Sequence, residues 1–373
     1  MTQMNIQMGD LSKQIEALGD DFLREAVDLI KSGRYIGGHF VQEFEAAFAE
    51  YLNQDFAVGV ANGTDALEVI FTALGLPRGS IILVPANTFI ATAEAVKSAG
   101  YLPLFYDVTE DFGMDLSGIP EEILIRAQVL VVVHLYGHPQ DMNLAQEVAS
   151  KYNLKIVEDC AQAHGATFEG KKIGTFGIAS AFSFYPGKNL GAAGDAGAIV
   201  TGDLNLANQI RRIGNHGRLA KFDHELLGRN SRLDNLQALV LLRKLSHLDV
   251  WNEQRRGNAL RYREKLRQHR DLKLPPDLEG SVYHHFSIRS SKRDALRSYL
   301  RDKGVETGLH YPLNLASVSF LLDENQSFTC PEAQRIAETQ LSLPVGEHLM
   351  ANDVDTVAAL VNEFFASEDT RSK

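Results

Sequence analysis

The chain has 373 residues, 45% of them apolar, and a formal net charge of −11. That length exceeds one simple core and predicts a large unit joined to a smaller one, while the apolar share excludes wholesale disorder. The acidic balance argues against nucleic acid as a partner, because duplex binding leaves a basic footprint; a small anionic ligand needs only local donors.

No stretch approaches the roughly 20 continuous apolar residues that span a bilayer. The densest run, Ala127 to Val133, is short and β-branched, as a buried strand would be. Met1 to Asp10 lack the basic start and apolar stretch of a secretory signal. The chain holds 2 cysteines, Cys160 and Cys330, too few for a disulfide framework. Both thiols are expected as buried packing, and the cytoplasm is the expected compartment.

From Phe56 onward, strand-like and helix-like segments alternate. Phe56–Ala61 reads as a strand and Thr64–Leu74 as a helix, then Ile81–Pro85 and Ala91–Ala99. Leu102–Tyr106, Val129–His134, Leu144–Tyr152 and Lys155–Glu158 continue the rhythm. Such βαβ repetition predicts an α/β fold whose mostly parallel sheet is covered on both faces. Between Phe176 and Gly202, Ala179–Phe184 and Ala198–Thr201 flank a glycine-rich loop with no room for a crossover helix. They are expected as a hairpin or an antiparallel edge. After Leu233, helical spacing through Leu236, Val240, Leu241, Leu245, Leu248 and Trp251 runs to about His269 and predicts a bridge between the units. The remainder carries a strand at Tyr283–Ile288 and helices near Arg293–Lys303 and Val354–Phe365, as a small α+β domain would. The expected division is 1–250 and 251–373.

Three segments fall at predicted strand ends: Asn62-Gly63-Thr64, Glu158 to Gly165, and Ser183 to Asn189. Ligands of open α/β sheets bind at the carboxyl ends of strands, so the three can meet at one pocket. Asp159 closes an apolar strand, where a carboxylate can pair with the protonated ring nitrogen of pyridoxal phosphate (PLP). Alone, an Asp there is more often a turn or cap residue. Lys188 follows in a Gly-Lys-Asn-Leu-Gly loop after the apolar approach Ala181–Tyr185. A Schiff-base lysine must be neutral to attack, which that approach favours; in isolation it would read as a solvated surface residue. Gly63-Thr64 opens a helix, which suits an anion and equally an ordinary N-cap. Ser183 adds a hydroxyl.

Together these segments resemble the DegT/DnrJ/EryC1/StrS family of sugar aminotransferases, which are fold-type I PLP enzymes. Further motifs carry the likeness: Tyr35 to Gly38, Asn62 to Leu67, Pro85 to Thr92, His134 to Gly137, Phe182 to Gly191 and Asn230 to Asp234. The resemblance implies a large PLP-binding domain with a mostly parallel seven-stranded sheet and a small C-terminal α+β domain. It implies that Lys188 carries the cofactor and shuttles protons, that Asp159 holds the ring nitrogen, and that Gln162 meets the ring hydroxyl. Phe89 would stack on the ring, although core packing is its alternative. Gly63, Thr64 and Ser183 would hold the phosphate, joined by Asn230 of a neighbouring subunit, so the site would be shared in a homodimer.

The family's substrates imply a nucleotide-diphosphate keto-sugar, with glutamate as amino donor and Tyr185, His310 and Tyr311 as sugar contacts. His310 also reads as a structural histidine. Lys31, Arg34, Arg218, Lys221 and Arg229 are diphosphate candidates that read equally as solvated charges. Pro85–Thr92 and Ser183–Ala192 look closer to enzymes aminating carbon 3 of dTDP-3-keto-6-deoxyhexoses than to carbon-4 enzymes. Family members that are dehydratases carry histidine in place of the lysine, so Lys188 points to transamination. The competing readings are a carbon-4 aminotransferase, a dehydratase using the pyridoxamine form, and a PLP-binding regulator. No metal is expected.

Overall fold

The computed structural model describes residues 5–322 and 329–371. Residues 1–4 of the N-terminal stretch, and 323–328 and 372–373 of the expected C-terminal unit, lie outside the described residues. Helices α1 (Leu11–Ser32) and α2 (His39–Leu52) precede β1 (Phe56–Val60), α3 (Gly63–Ala73), β2 (Ile81–Pro85), α4 (Ala91–Ser98), β3 (Leu102–Val108) and β4 (Met114–Asp115). Then come α5 (Glu121–Arg126), β5 (Ala127–Val133), α6 (Met142–Tyr152), β6 (Lys155–Asp159), β7 (Thr167–Phe168), β8 (Lys171–Lys172), β9 (Ala179–Ser183), β10 (Gly197–Thr201) and α7 (Leu204–Gly214). The chain continues through α8 (Asn235–Leu245), α9 (Leu248–Lys265), β11 (Phe286–Arg289), α10 (Arg293–Asp302), α11 (Pro331–Thr339), β12 (Gln340–Leu343) and α12 (Ala351–Arg371). Short polar side chains set several helix starts by accepting otherwise unpaired amides. Asn62 accepts from Asp65 at 2.8 Å before α3, and Asp141 accepts from Leu144 at 3.0 Å before α6.

The main sheet runs β1-β10-β9-β6-β5-β2-β3-β4. Its members are parallel from β9 through β3, whereas β10 lies antiparallel to both β9 and β1. The two-residue β4 adds an antiparallel edge to the seven longer strands. The expected hairpin is therefore present, but inside the sheet, because β1 covers its outer strand. Side chains alternate across the sheet. Leu83, Leu130 and Val132 face a core shared with Phe44 and Phe48 of α2 and Leu239 of α8. Val84, Val131 and Val157 face a second core with Leu67 and Ile70 of α3 and Val96 of α4. Burying each such side chain stabilises the fold by about 1.5–3 kcal/mol over leaving it exposed.

A third core lies around the β11–β12 pair, with Tyr262 of α9, Phe286, Leu296 and Leu300 of α10, Leu341, and Val357 and Val361 of α12. Ile6 joins it from the N-terminal segment and bridges to Val305. Leu315, Leu321, Cys330, Ala333 and Ile336 return to the second core, against the main sheet. The helical run after Leu233 is two helices, broken at Ser246–His247. The apolar spacing continues through the break because Leu241 serves the first core and Tyr262 the third. The strand expected from Tyr283 begins at Phe286, since Tyr283 has φ 42°, a left-handed backbone that no strand accommodates. Among the described residues no helix is long and apolar enough to cross a membrane.

Candidate active site

Strands β1, β2, β5, β6 and β9 point the same way, and their carboxyl ends rim a cavity of about 790 Å³. Asp159, Gln162, Ser183, Tyr185, Lys188, Gly63, Thr64, Phe89, His310 and Tyr311 all line it. Sequence segments separated by up to a whole domain therefore converge on one chamber, as strand-end placement requires.

Asp159 is the last residue of β6 and is buried. Its Oδ2 accepts from Thr92 Oγ1 at 2.9 Å and its Oδ1 from the Ala161 amide at 3.1 Å. Thr88 sits 3.0 Å behind Thr92, hydroxyl to hydroxyl. Burial raises the Asp159 carboxyl above its usual range, against the pull of these donors and of the Lys188 and His134 charges. Lys188 lies on the loop between β9 and β10, with its amide bonded to the Tyr185 carbonyl at 2.8 Å. Burial lowers its ammonium to about 8, and the Asp159 carboxylate partly offsets that fall. Both groups line the same cavity, one an amine that burial brings towards neutrality and the other a buried carboxylate.

The neighbouring Asn189 pins the loop. Its amide nitrogen donates to Asn252 Oδ1 at 2.8 Å and to the Val282 carbonyl at 3.2 Å, and its oxygen lies 2.9 Å from His284 Nδ1. At the start of α3, Asn62 occupies the Asp65 amide, which leaves the Gly63 and Thr64 amides without intrahelical carbonyls. Ser183 closes on this turn: a Cβ on Gly63 would come within 2.6 Å of the Ser183 Cβ. A Cβ on Gly197 would likewise meet the Asn62 carbonyl at 2.5 Å. Glycine at both positions lets the backbone form an amide-lined cradle for an anion.

Phe89 is 50% exposed and lines the cavity, so it is not a core residue. Its ring lies 5.2 Å from that of Tyr311, tilted by 39°. Gln162 is locked at both ends, accepting from the Tyr136 amide at 2.7 Å and donating to the Tyr311 hydroxyl at 3.0 Å. His310 stacks on His285 with centroids 3.8 Å apart, and its Nδ1 meets Ser342 Oγ at 2.9 Å. Burial, with the Lys188 charge, lowers its imidazolium to about 4, so the ring is neutral at pH 7. It is both held and cavity-facing, which joins the two readings of that residue.

Other candidates fall elsewhere. Asn230 is exposed, bridges to Asn215 and does not line this chain's cavity. Lys31, Arg34, Arg218, Lys221 and Arg229 do not line it either, and Arg229 is paired with Glu68. Cys160 and Cys330 are both buried. One group with metal-ligand spacing exists among the described residues: His134, Glu158 and Cys160, with ligand atoms within 4.8 Å of one another. Its carboxylate is already filled. Glu158 accepts from the Gly174, Phe176 and Gly177 amides at 2.7–2.8 Å and lies 3.2 Å from His134 Nε2. Burial would raise Glu158, but those bonds outweigh it and hold the carboxyl below its usual value.

Sequence reasoning missed Thr92 as the Asp159 partner, although its spacing from Thr88 within Pro85–Thr92 could have signalled it. Gln14, Arg255, His284, His285 and Glu347 also line the cavity, and no local pattern marks them. The set fits PLP: an amine for the aldehyde, a carboxylate for the ring nitrogen, amides and a hydroxyl for the phosphate, and an open aromatic face.

Comparison with known proteins agrees. The model of the DegT/DnrJ/EryC1/StrS aminotransferase family matches residues 16–362. A dTDP-3-amino-3,4,6-trideoxy-alpha-D-glucose transaminase of Streptomyces venezuelae is 42% identical over 91% of each chain. A protein of Geobacillus stearothermophilus named pleiotropic regulatory protein is 38% identical over 97% of this chain and 99% of its own. The crystal structure of S. venezuelae DesV superposes with a TM-score of 0.88 at 38% identity, covering 98% of this chain and 99% of that one. The chain belongs to the DegT/DnrJ/EryC1/StrS aminotransferase family.

Proposed function

We propose that this PLP-dependent enzyme moves an amino group from glutamate to carbon 3 of a nucleotide-linked keto-deoxysugar, of the dTDP-3-keto-6-deoxyhexose class. The observation that carries the reading is the meeting of Lys188 and Asp159, from the loop after β9 and the end of β6, in the one cavity at the strands' carboxyl ends. The name of the S. venezuelae relative supports carbon 3.

Bound PLP supplies an aldehyde that takes up amines and a ring that draws electrons from the carbon losing its proton. In this reading Lys188 would hold that aldehyde at rest and, once freed, its amine would take and return the proton of the donor's α-carbon. Asp159, braced by Thr92, keeps a positive charge on the ring nitrogen. Gln162 would meet the ring hydroxyl and Phe89 would cover one ring face. Gly63, Thr64 and Ser183 bind the phosphate, and Tyr185, His310 and Tyr311 orient the sugar. Residues 1–250 form the cofactor-binding unit and 251–373 the smaller one, with Leu315, Leu321, Cys330, Ala333 and Ile336 packing back against the main sheet.

Asn230 would serve the phosphate of a second copy. Its segment offers an apolar surface for that contact: Phe222 is 79% and Leu227 93% exposed.

The test is a screen of dTDP-, UDP- and GDP-linked 3-keto and 4-keto sugars with glutamate, reading products by mass. Amination at carbon 3 is expected; amination confined to carbon 4 overturns the regiochemistry, and a deoxy product would mean dehydration. The Geobacillus relative's name favours one second reading, a PLP-binding regulator. That reading requires cofactor binding without turnover in the same assay.

A further inference from the structure

Gln162 and Tyr311 form a hydrogen-bonded pair whose last proton has no acceptor among the described residues. The Gln162 oxygen accepts from the Tyr136 amide at 2.7 Å. A backbone N–H can only donate, so this contact fixes which end of the side chain is oxygen. The other end, Nε2, donates to the Tyr311 hydroxyl oxygen at 3.0 Å. Tyr136 braces the pair from both sides. Its amide holds Gln162, and its phenol donates to the carbonyl of His310, the residue before Tyr311. Tyr136 itself is buried and has φ 61°, a left-handed backbone rare for a bulky residue.

The Tyr311 oxygen is thus an acceptor on its Gln162 side, and its own O–H must point elsewhere. Tyr311 lines the cavity. Burial, with the Asp159 charge, pushes its phenol well above the ordinary tyrosine range, against the pull of the Gln162 bond. The group therefore keeps its proton at neutral pH. A hydroxyl braced this firmly, with its donor unused, is costly unless a ligand completes it.

Its surroundings narrow the ligand atom. Tyr311 touches the two residues assigned to the cofactor ring: its own ring lies 5.2 Å from that of Phe89, and its hydroxyl 3.0 Å from Gln162. A sugar hydroxyl both donates and accepts. The ring oxygen of PLP held by a lysine carries negative charge and only accepts. A phenol that already accepts from an amide, with only its proton left to give, suits the second.

We infer that the Tyr311 hydroxyl donates a hydrogen bond to the ring oxygen of PLP, with Gln162 as the positioning residue that aims it. The inference rests on the reading that Gln162 meets the ring hydroxyl, and it adds a second donor to that atom. No covalent bond changes, and the proton stays on Tyr311. A donor on the ring oxygen favours its negative form, so the proton it shares with the Lys188 linkage leaves at lower pH. Through Tyr311 the smaller unit would tune a linkage held by the larger one.

The test titrates the visible absorbance of the cofactor linkage in the holoenzyme against pH, with no sugar present. A hydroxyl that only orients the sugar leaves that titration unmoved. Tyr311→Phe should raise its midpoint by about one pH unit, the scale of a lost hydrogen bond to a charged group. Replacing Tyr311 by 3-fluorotyrosine keeps the shape, makes the phenol a stronger donor, and should lower the midpoint. This second protein keeps the idea refutable if Tyr311→Phe does not fold. Gln162→Leu should raise the midpoint at least as much as Tyr311→Phe, and the double variant should fall short of the two shifts added, as coupled residues do. A midpoint unmoved in either Tyr311 protein overturns the assignment, and so do shifts that add in full. A shift in Gln162→Leu and in neither Tyr311 protein removes only Tyr311 and leaves the Gln162 reading standing. No shift in any of the three removes both.

Discussion

The two walls of the cavity are built by different means. The sheet wall takes Gly63, Thr64, Asp159, Ser183 and Lys188 from strand ends or the loops that leave them; hydrogen bonds on the same unit brace Asp159, and the Lys188 loop is held through Asn189 by Asn252, Val282 and His284. The facing wall takes Gln14, Arg255, His284, His285, His310 and Glu347 from the N-terminal helix, α9 and the flanks of β11 and β12. Its groups are neutral rings and an ion pair. The contrast teaches a division of labour. A wall fixed by strand register holds reacting atoms in place, and a wall assembled from separate segments presents donors and acceptors for sorting ligands.

Substitutions on the sheet wall should therefore act on rate, and substitutions on the facing wall on binding. The sharpest trial is Lys188→Ala. It should lower turnover by about 10³-fold or more, as loss of a positioned acid–base group does. The visible absorbance of the cofactor linkage should vanish while far-ultraviolet circular dichroism is unchanged; retained absorbance would point to another lysine. Next comes Asp159→Asn, which removes the charge facing the ring nitrogen. A fall of about 10²-fold in kcat is expected, with the keto-sugar KM little altered in steady-state kinetics.

A pH series sharpens the same wall. Lys188 attacks the aldehyde only as the free amine, and burial lowers its ammonium to about 8. Reconstitution of apoprotein with PLP should slow about tenfold per pH unit below that value and level off above it. A plateau reached only near the ordinary lysine value would contradict the buried setting. The smallest effect is expected on the facing wall. His310→Gln should raise the keto-sugar KM about fivefold, the scale of one neutral hydrogen bond, and leave kcat nearly intact. A loss of kcat matching that of Asp159→Asn would erase the contrast between the walls.

The same contrast governs what the sequence discloses. Asp159, Ser183 and Lys188 stand in runs where an apolar strand meets a glycine or a polar turn, and that transition is visible in one dimension. Phe89 follows such a strand too, and its exposure agrees with a stacking surface. Arg255 stands in Asn252-Glu253-Gln254-Arg255-Arg256, a run that reads as the solvated face of a helix; in the fold it is buried against Glu347 and the His284 carbonyl. The hairpin of β9 and β10 was legible from its short glycine loop, but not its place inside the sheet, because the β1–β10 pairing joins segments far apart in the chain. The break between α8 and α9 was hidden because two cores share one apolar spacing.

That long-range pairing also bears on how the chain is made. In the main sheet β1 touches β10 and no other strand. A growing polypeptide thus releases Phe56–Val60 from the ribosome well before Gly197–Thr201 exists, and the first strand made is among the last to be zipped into place. Contacts of such separation slow folding and leave β-edges open to wrong partners meanwhile. Nascent chains stopped short of Thr201 should accordingly lean on chaperones, and those extended past it should shed them.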